Sequence, residues 1–168
     1  MSIIEKIIPE YQSECALTRK TLERVPYEHA DWKPHPKSMS INQLASHIAD
    51  AQGWMVPTCT SDEMHFDPGT WKPFISIDSA DLLKKFDENV KAAVDIMKTV
   101  SDEALSRTWR MIGPGGKVFM EMPRIAVIRG MVINHTIHHR AQLTVYLRLK
   151  DVPVPAIYGP SADDSGGF

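Results

Sequence analysis

Residues 123–150, PRIAVIRGMVINHTIHHRAQLTVYLRLK, decide the fold. Ile128, Val132, His135, His139, Gln142 and Tyr146 recur at steps of three and four, the period of one helix face. Pro123 suits a first helical position, where its missing N–H is no loss, and Asp151-Val152-Pro153 stop the run. The spacing predicts a helix from about Pro123 to about Lys150, with that stripe turned toward an interior. At ~100° per residue, His135 and His139 lie ~40° apart around the axis and one turn apart along it. Two imidazoles so placed can ligate one metal ion. On an interior face, neutral histidines and a glutamine need polar partners, because unpaired burial costs roughly 1–3 kcal/mol per group. A metal would satisfy the imidazoles; hydrogen bonds or water would also do so. His138 sits ~60° off in the other direction, toward a neighbouring helix or solvent.

Three more helices follow from the same kind of period. The first spans about Ser2 to Val25, on Ile4, Ile8, Tyr11, Cys15, Thr18 and Leu22, with Pro9 an early interruption that predicts a kink or a separate first turn. The second opens at Ser40, where Ser40-Ile-Asn-Gln43 is a capping-box pattern, and continues on Leu44, Ile48, Ala51 and Met55. The third runs from about Asp78 to Val100 on Leu82, Phe86, Val90, Ala93 and Met97. Between the second and third, residues 57–77 carry Pro57, Pro68, Gly69 and Pro73 without a period. That is longer than an ordinary helix–helix loop and suggests a crossover. Ser101–Leu105 reads as one helical turn. Trp109 to Met122 reads as two short strands around Gly113-Pro-Gly-Gly116, a hairpin rather than a phosphate loop, because no GK[ST] opens a helix there. The expected architecture is an all-α four-helix bundle, one domain over residues 1–168. It carries a long second-to-third connection, a small hairpin before the fourth helix and a tail from Pro155 wrapped on the surface.

Composition narrows the function classes. Nineteen basic against 21 acidic residues give a formal charge of -2, no electrostatic basis for nucleic acid or an anionic membrane as partner. No apolar run approaches the ~20 residues of a membrane span. The N-terminus lacks the basic-then-apolar pattern of a signal peptide. The two cysteines, Cys15 and Cys59, are far apart and outside any CxxC pair, so a reducing cytoplasm is expected.

A third metal ligand must come from another element. His47, beside the stripe of the second helix, is the best candidate; His29, His35 and His65 fall in the Pro-rich link and the long connection. Asp50, one turn after His47, is placed to orient that ring or simply to face solvent. Trp32, Trp54, Trp71 and Trp109 lie in or beside connecting segments, where they pack under loops or wall a pocket mouth. The charged residues of the fourth helix are Arg124, Arg129, Arg140, Arg148 and Lys150, with no acid among them. They are expected either to draw an anionic thiol cofactor or carboxylate substrate, with Arg140 the chosen cofactor contact, or to be solvated and complement the helix dipole. No ExxH pair of the di-iron bundles is present.

Ser-Ile-Asn-Gln-Leu-Ala-Ser-His47, His135-Thr-Ile-His-His139-Arg140-Ala-Gln142 and Leu147-Arg-Leu-Lys-Asp-Val-Pro-Val-Pro-Ala-Ile-Tyr-Gly159 together resemble the DinB/YfiT superfamily of metalloenzymes. The resemblance covers most of the chain. It departs at Ala141, where the family usually has Gly. It implies a four-helix bundle, a divalent metal on His47, His135 and His139, often nickel or zinc, and frequent homodimers. Relatives include thiol-dependent S-transferases, a maleylpyruvate isomerase and hydrolases. The imidazoles themselves accept zinc, nickel, iron or copper, and zinc or nickel is expected here, with iron the next choice. Three neutral ligands leave an ion its charge and open positions, which suits catalysis on a small-molecule substrate better than a closed structural site. The expected reaction is transfer of a low-molecular-weight thiol to an electrophile. The alternatives are metal-dependent hydrolysis and a non-catalytic metal-binding stress-response protein.

Overall fold

The computed structural model describes residues 2–166. Helix α1 (Ile3–Leu22) is capped by Ser2, whose hydroxyl accepts from Glu5 N–H while the Glu5 carboxylate accepts from Ser2 N–H. Pro9 lies inside α1 without ending it, so the expected separate first turn is not found. A proline that early forfeits one backbone bond, and burial of Ile4, Ile7 and Tyr11 on the same face holds the turn in place. Helix α2 (Ile41–Ala51) starts at the predicted capping box, with Ser40 and Gln43 satisfying each other's backbone. A tight turn then leads to α3 (Met55–Thr60). Helix α4 (Ser79–Met97) begins at Asp78, whose carboxylate accepts from Asp81 N–H, and α5 (Asp102–Ser106) is the single turn expected there.

The last rod has three parts: α6 (Arg124–Val127), a wider segment of i→i+5 bonding (Ile128–Asn134), and α7 (His135–Leu149). The wide segment holds more residues per turn than 3.6, and it changes which face is buried. The buried positions run Ile128, Val132, Thr136, Arg140, Leu143, Leu147. The predicted stripe therefore does not face the core beyond Val132. His135, His139, Gln142 and Tyr146 are half-buried along its edge.

Helices α1 and α2 each pack against both α4 and α7, so the ring runs α1–α4–α2–α7 and the first two helices are not neighbours in it. This is the crossover that the long connection suggested. Its core is a single cluster that includes Ile7, Leu44, Ile48, Phe86, Val132 and Leu143.

The all-α class is corrected by a three-stranded mixed sheet. Strands β2 (Thr108–Ile112) and β3 (Val118–Pro123) form the predicted hairpin, and Gly115 and Gly116 take φ of +70° and +78° in its turn. Strand β1 (Glu63–His65), from the long connection, pairs parallel to β2 with Met64 opposite Met111. Three residues are too few for an alternation to be read from sequence. The sheet closes a second small core around Trp109, which is fully buried. No helix among the described residues is long and apolar enough to cross a membrane.

Candidate metal centre

His47 projects from the middle of α2, and His135 and His139 from the first turns of α7. Because α2 and α7 are neighbours, all three rings meet. His47 Nε2 lies 3.3 Å from His135 Nε2, and His135 Nε2 lies 2.8 Å from His139 Nε2. One nitrogen from each ring falls within 4.8 Å of the others. Ring centroids are 4.4–4.9 Å apart and every pair of rings is steeply inclined.

This donor set fits a divalent cation. Ligand nitrogens ~2.1 Å from a tetrahedral ion lie about 3.4 Å apart, close to the His47–His135 separation; the His135 and His139 nitrogens, at 2.8 Å, would move apart by a few tenths of an ångström to share it. Three imidazole nitrogens aimed at one point cannot all be satisfied by shared protons, whereas one cation takes all three lone pairs. The rings are also biased to the neutral, ligating form. Burial, then the neighbouring His139, His47 and His138, push His135 down to about 4. His47 and His139 are lowered as well, in each case first by burial. His139 Nδ1 donates to Gln142 Oε1 at 2.7 Å, which leaves Nε2 as the free lone pair and fixes the ring's orientation. Gln142, noticed in the sequence only as a polar residue needing a partner, thus serves the site through His139.

The bias has a measurable consequence in protein freed of metal. The unfolded chain takes up these protons near the usual 6.5, the folded chain only below it, at about 4 for His135. Stability is therefore full above pH 6.5 and falls as pH drops from there toward 4. Thermal midpoints of chelated protein between pH 7 and 4 should show this decline, and it should be shallower in His135→Gln; equal slopes would contradict it.

The other predicted residues separate clearly. His138 is exposed, with its ring 4.9 Å from that of His139. His65 pairs with Glu63 on the exposed β1 strand. Asp50 lies 3.3 Å from Lys85 Nζ and acts on His47 through its charge, which favours the protonated ring. Of the tryptophans, Trp109 is core and Trp32 packs edge-on against Tyr146. Trp54 and Trp71 wall a cavity of about 240 Å³ that opens on His47 and His135 and is completed by Asp50, Phe66 and Met131. Phe66 and Met131 were not singled out by the sequence. Phe66 follows β1, and only the strand pairing brings it to the site.

Arg140 is placed elsewhere. Its guanidinium is 2% exposed and faces α1, where Nη2 lies 2.8 Å from Glu14 Oε2 and Nη1 donates to the Glu14 carbonyl and the Thr18 hydroxyl. Nη2 also donates to the Tyr158 hydroxyl of the tail at 2.6 Å. These contacts leave no open face for an anionic cofactor, and they make Arg140 a packing group between α1, α7 and the tail.

Comparison with known proteins places this fold. The Bacillus subtilis protein YrdA is 24% identical over 166 residues, 98% of this chain and 93% of that one. Among solved structures, a DinB-like protein from Bacillus cereus ATCC 10987 superposes with a TM-score of 0.71 at 21% identity, covering 94% of this chain and 98% of that one. The DinB-like YjoA of Bacillus subtilis gives a TM-score of 0.65 at 20% identity, over 87% and 92% of the two chains. YfiT of Bacillus subtilis, described as a probable metal-dependent hydrolase with an unusual four-helix bundle topology, gives 0.63 at 16% identity, over 88% and 87%. The DinB family model matches residues 3–166, nearly the full length, and the chain belongs to the DinB family.

Proposed function

We propose that His47, His135 and His139 hold one divalent metal ion and that the protein is a metal-dependent hydrolase of small, largely apolar substrates. One observation carries this reading: three imidazole nitrogens converge at the edge of an aromatic-walled cavity. Held by three neutral ligands, a zinc, nickel or iron ion supplies Lewis-acid activation of a carbonyl group or of water. The chain's own residues do the rest. Trp54, Phe66 and Met131 receive an apolar group and keep bulk water from it. Asp50 is the only carboxylate lining the cavity among the described residues and the group that accepts a proton there. Gln142 keeps the His139 lone pair aimed inward.

Thiol transfer, the reaction first expected, loses its electrostatic support. Arg124 is paired with Asp62, Arg129 with Glu10, Arg140 with Glu14 and Arg148 with Asp163, while Lys150 lies over the Trp32 ring. The description of YfiT as a probable metal-dependent hydrolase points the same way.

Elemental analysis of untagged protein should find about one divalent ion per chain. A panel of aryl and benzyl esters and amides, run beside a chromogenic electrophile with low-molecular-weight thiols, should give chelator-sensitive hydrolysis. Metal-free protein, or turnover only with a thiol, would overturn the reading. Asp50→Asn should lower kcat for the best ester about a hundredfold, within the range for loss of a general base, and leave bound metal unchanged. Unaltered kcat would remove Asp50 from that role.

A further inference from the structure

The cavity beside His47 has a neighbour. A second recess of about 430 Å³ is walled by Met39, Gln43, Pro73, Phe74 and Ile75, and it shares His47 and Trp71 with the first. Trp71 is therefore the partition between two recesses that both reach the same imidazole. It is 43% exposed and belongs to the turn after β1, where its N–H donates to the Asp67 carbonyl, and its ring stacks at an angle on Phe66 with centroids 5.8 Å apart.

The two sides differ in chemistry. The inner recess is aromatic and thioether-lined, with Asp50 its only charged side chain apart from the histidines. Among the described residues the outer recess has, apart from His47, Lys37 as its only charged side chain and no acid in its wall. Size speaks for the inner recess only, since the outer one is already of ordinary pocket volume. The inner recess alone falls below the roughly 300 Å³ at which small-molecule pockets begin, and the two together fall well within the usual range.

We propose that the two recesses are one bipartite substrate cleft and that its substrate is an extended molecule lying across Trp71. An aromatic or apolar group occupies the inner recess, the reacting bond sits at His47, and an anionic end, a carboxylate, reaches Lys37 in the outer recess. Trp71 and Lys37 are then the specificity-determining residues. This rests on the reading of the three-histidine site as a hydrolytic centre.

Binding can be read apart from turnover with amides that mimic the two-part shape. N-benzylsuccinamate carries both ends, N-benzylbutyramide lacks the carboxylate, and N-methylsuccinamate lacks the ring. Titration calorimetry on the metal-loaded protein at pH 7 and low salt should rank N-benzylsuccinamate tightest. Its advantage over N-methylsuccinamate should be about tenfold or more. Its advantage over N-benzylbutyramide should be about three- to fivefold, the scale of one exposed ion pair. Lys37→Gln, a change at an exposed position, should bring the second ratio close to one and leave the first in place. Trp71→Ala should reduce the first. Three equal affinities, or a carboxylate preference that survives Lys37→Gln, would overturn the cleft. The corresponding benzyl ester separates the two readings. The predicted binding pattern without ester hydrolysis would refute the hydrolase reading alone, and hydrolysis without the pattern would refute the cleft alone.

Discussion

His139→Ala protein, purified without a tag, should bind divalent metal more than a hundredfold more weakly than the parent and lose the proposed hydrolytic activity with it. Removing the ring takes one of three lone pairs and also orphans Gln142, whose side-chain oxygen is held by His139 Nδ1 at 2.7 Å. Loss of an outer partner alone typically costs 10- to 100-fold in metal affinity. Gln142→Leu should therefore fall in that range, and loss of the ligand itself should exceed it. The fold should survive, because the ring is half-buried at the edge of the bundle and the core positions Thr136, Arg140 and Leu143 are untouched. Competition against a chromophoric chelator, with circular dichroism as the control, measures both. Parental affinity in a folded His139→Ala protein would end the case for a metal on these residues.

Arg140→Met should destabilise the protein by about 3–5 kcal/mol, the usual cost of stripping one partner from a buried ion pair. The change leaves Glu14, whose side chain is 16% exposed, without its cation. It also takes one donor from the Glu14 carbonyl, which keeps the Thr18 hydroxyl, leaves the Tyr158 hydroxyl without its donor, and removes the guanidinium lying 5.2 Å from the Tyr158 ring. At roughly 2–4 °C per kcal/mol for a chain of this size, Tm should fall by about 6–20 °C. Lysine should rescue little, since an ammonium cannot present the fork that reaches both Glu14 and Tyr158. Adding Glu14→Leu to Arg140→Met should recover much of the loss by removing the stranded carboxylate. Metal affinity should stay near the parent's throughout, which separates this residue from the ligands. A Tm within 3 °C of the parent would show that the pair is not as buried as described.

Most of this architecture was legible from spacing. The four long helices, the Ser40 capping box, the Gly-rich hairpin and the convergence of His47 with His135 and His139 follow from apolar period, capping chemistry and an i, i+4 pair. What escaped was non-local. Arg140 reads as solvated by its charge, and only Glu14, 126 positions earlier, makes its burial possible. The buried face slips from the predicted stripe to Thr136 and Arg140 because Ile128–Asn134 departs from the helical period that any stripe assumes. Strand β1 exists because the hairpin offers an edge to pair with, and nothing in three residues announces that.

The departure at Ile128–Asn134 makes the last rod a shaft with a rotary joint. Upstream of it, Val127 is locked into the sheet's small core and Arg124 donates to the Thr58 and Ala104 carbonyls; downstream, Leu143 and Leu147 are locked into the bundle. The azimuth of both ligands on α7 relative to the hairpin is set by how many residues that joint contains. Shortening it by one would change the twist accumulated across the joint, and so turn His135 and His139 against everything on its upstream side. Gain or loss of a single residue there is thus a coarse dial on the centre, one that no point substitution among the histidines reproduces.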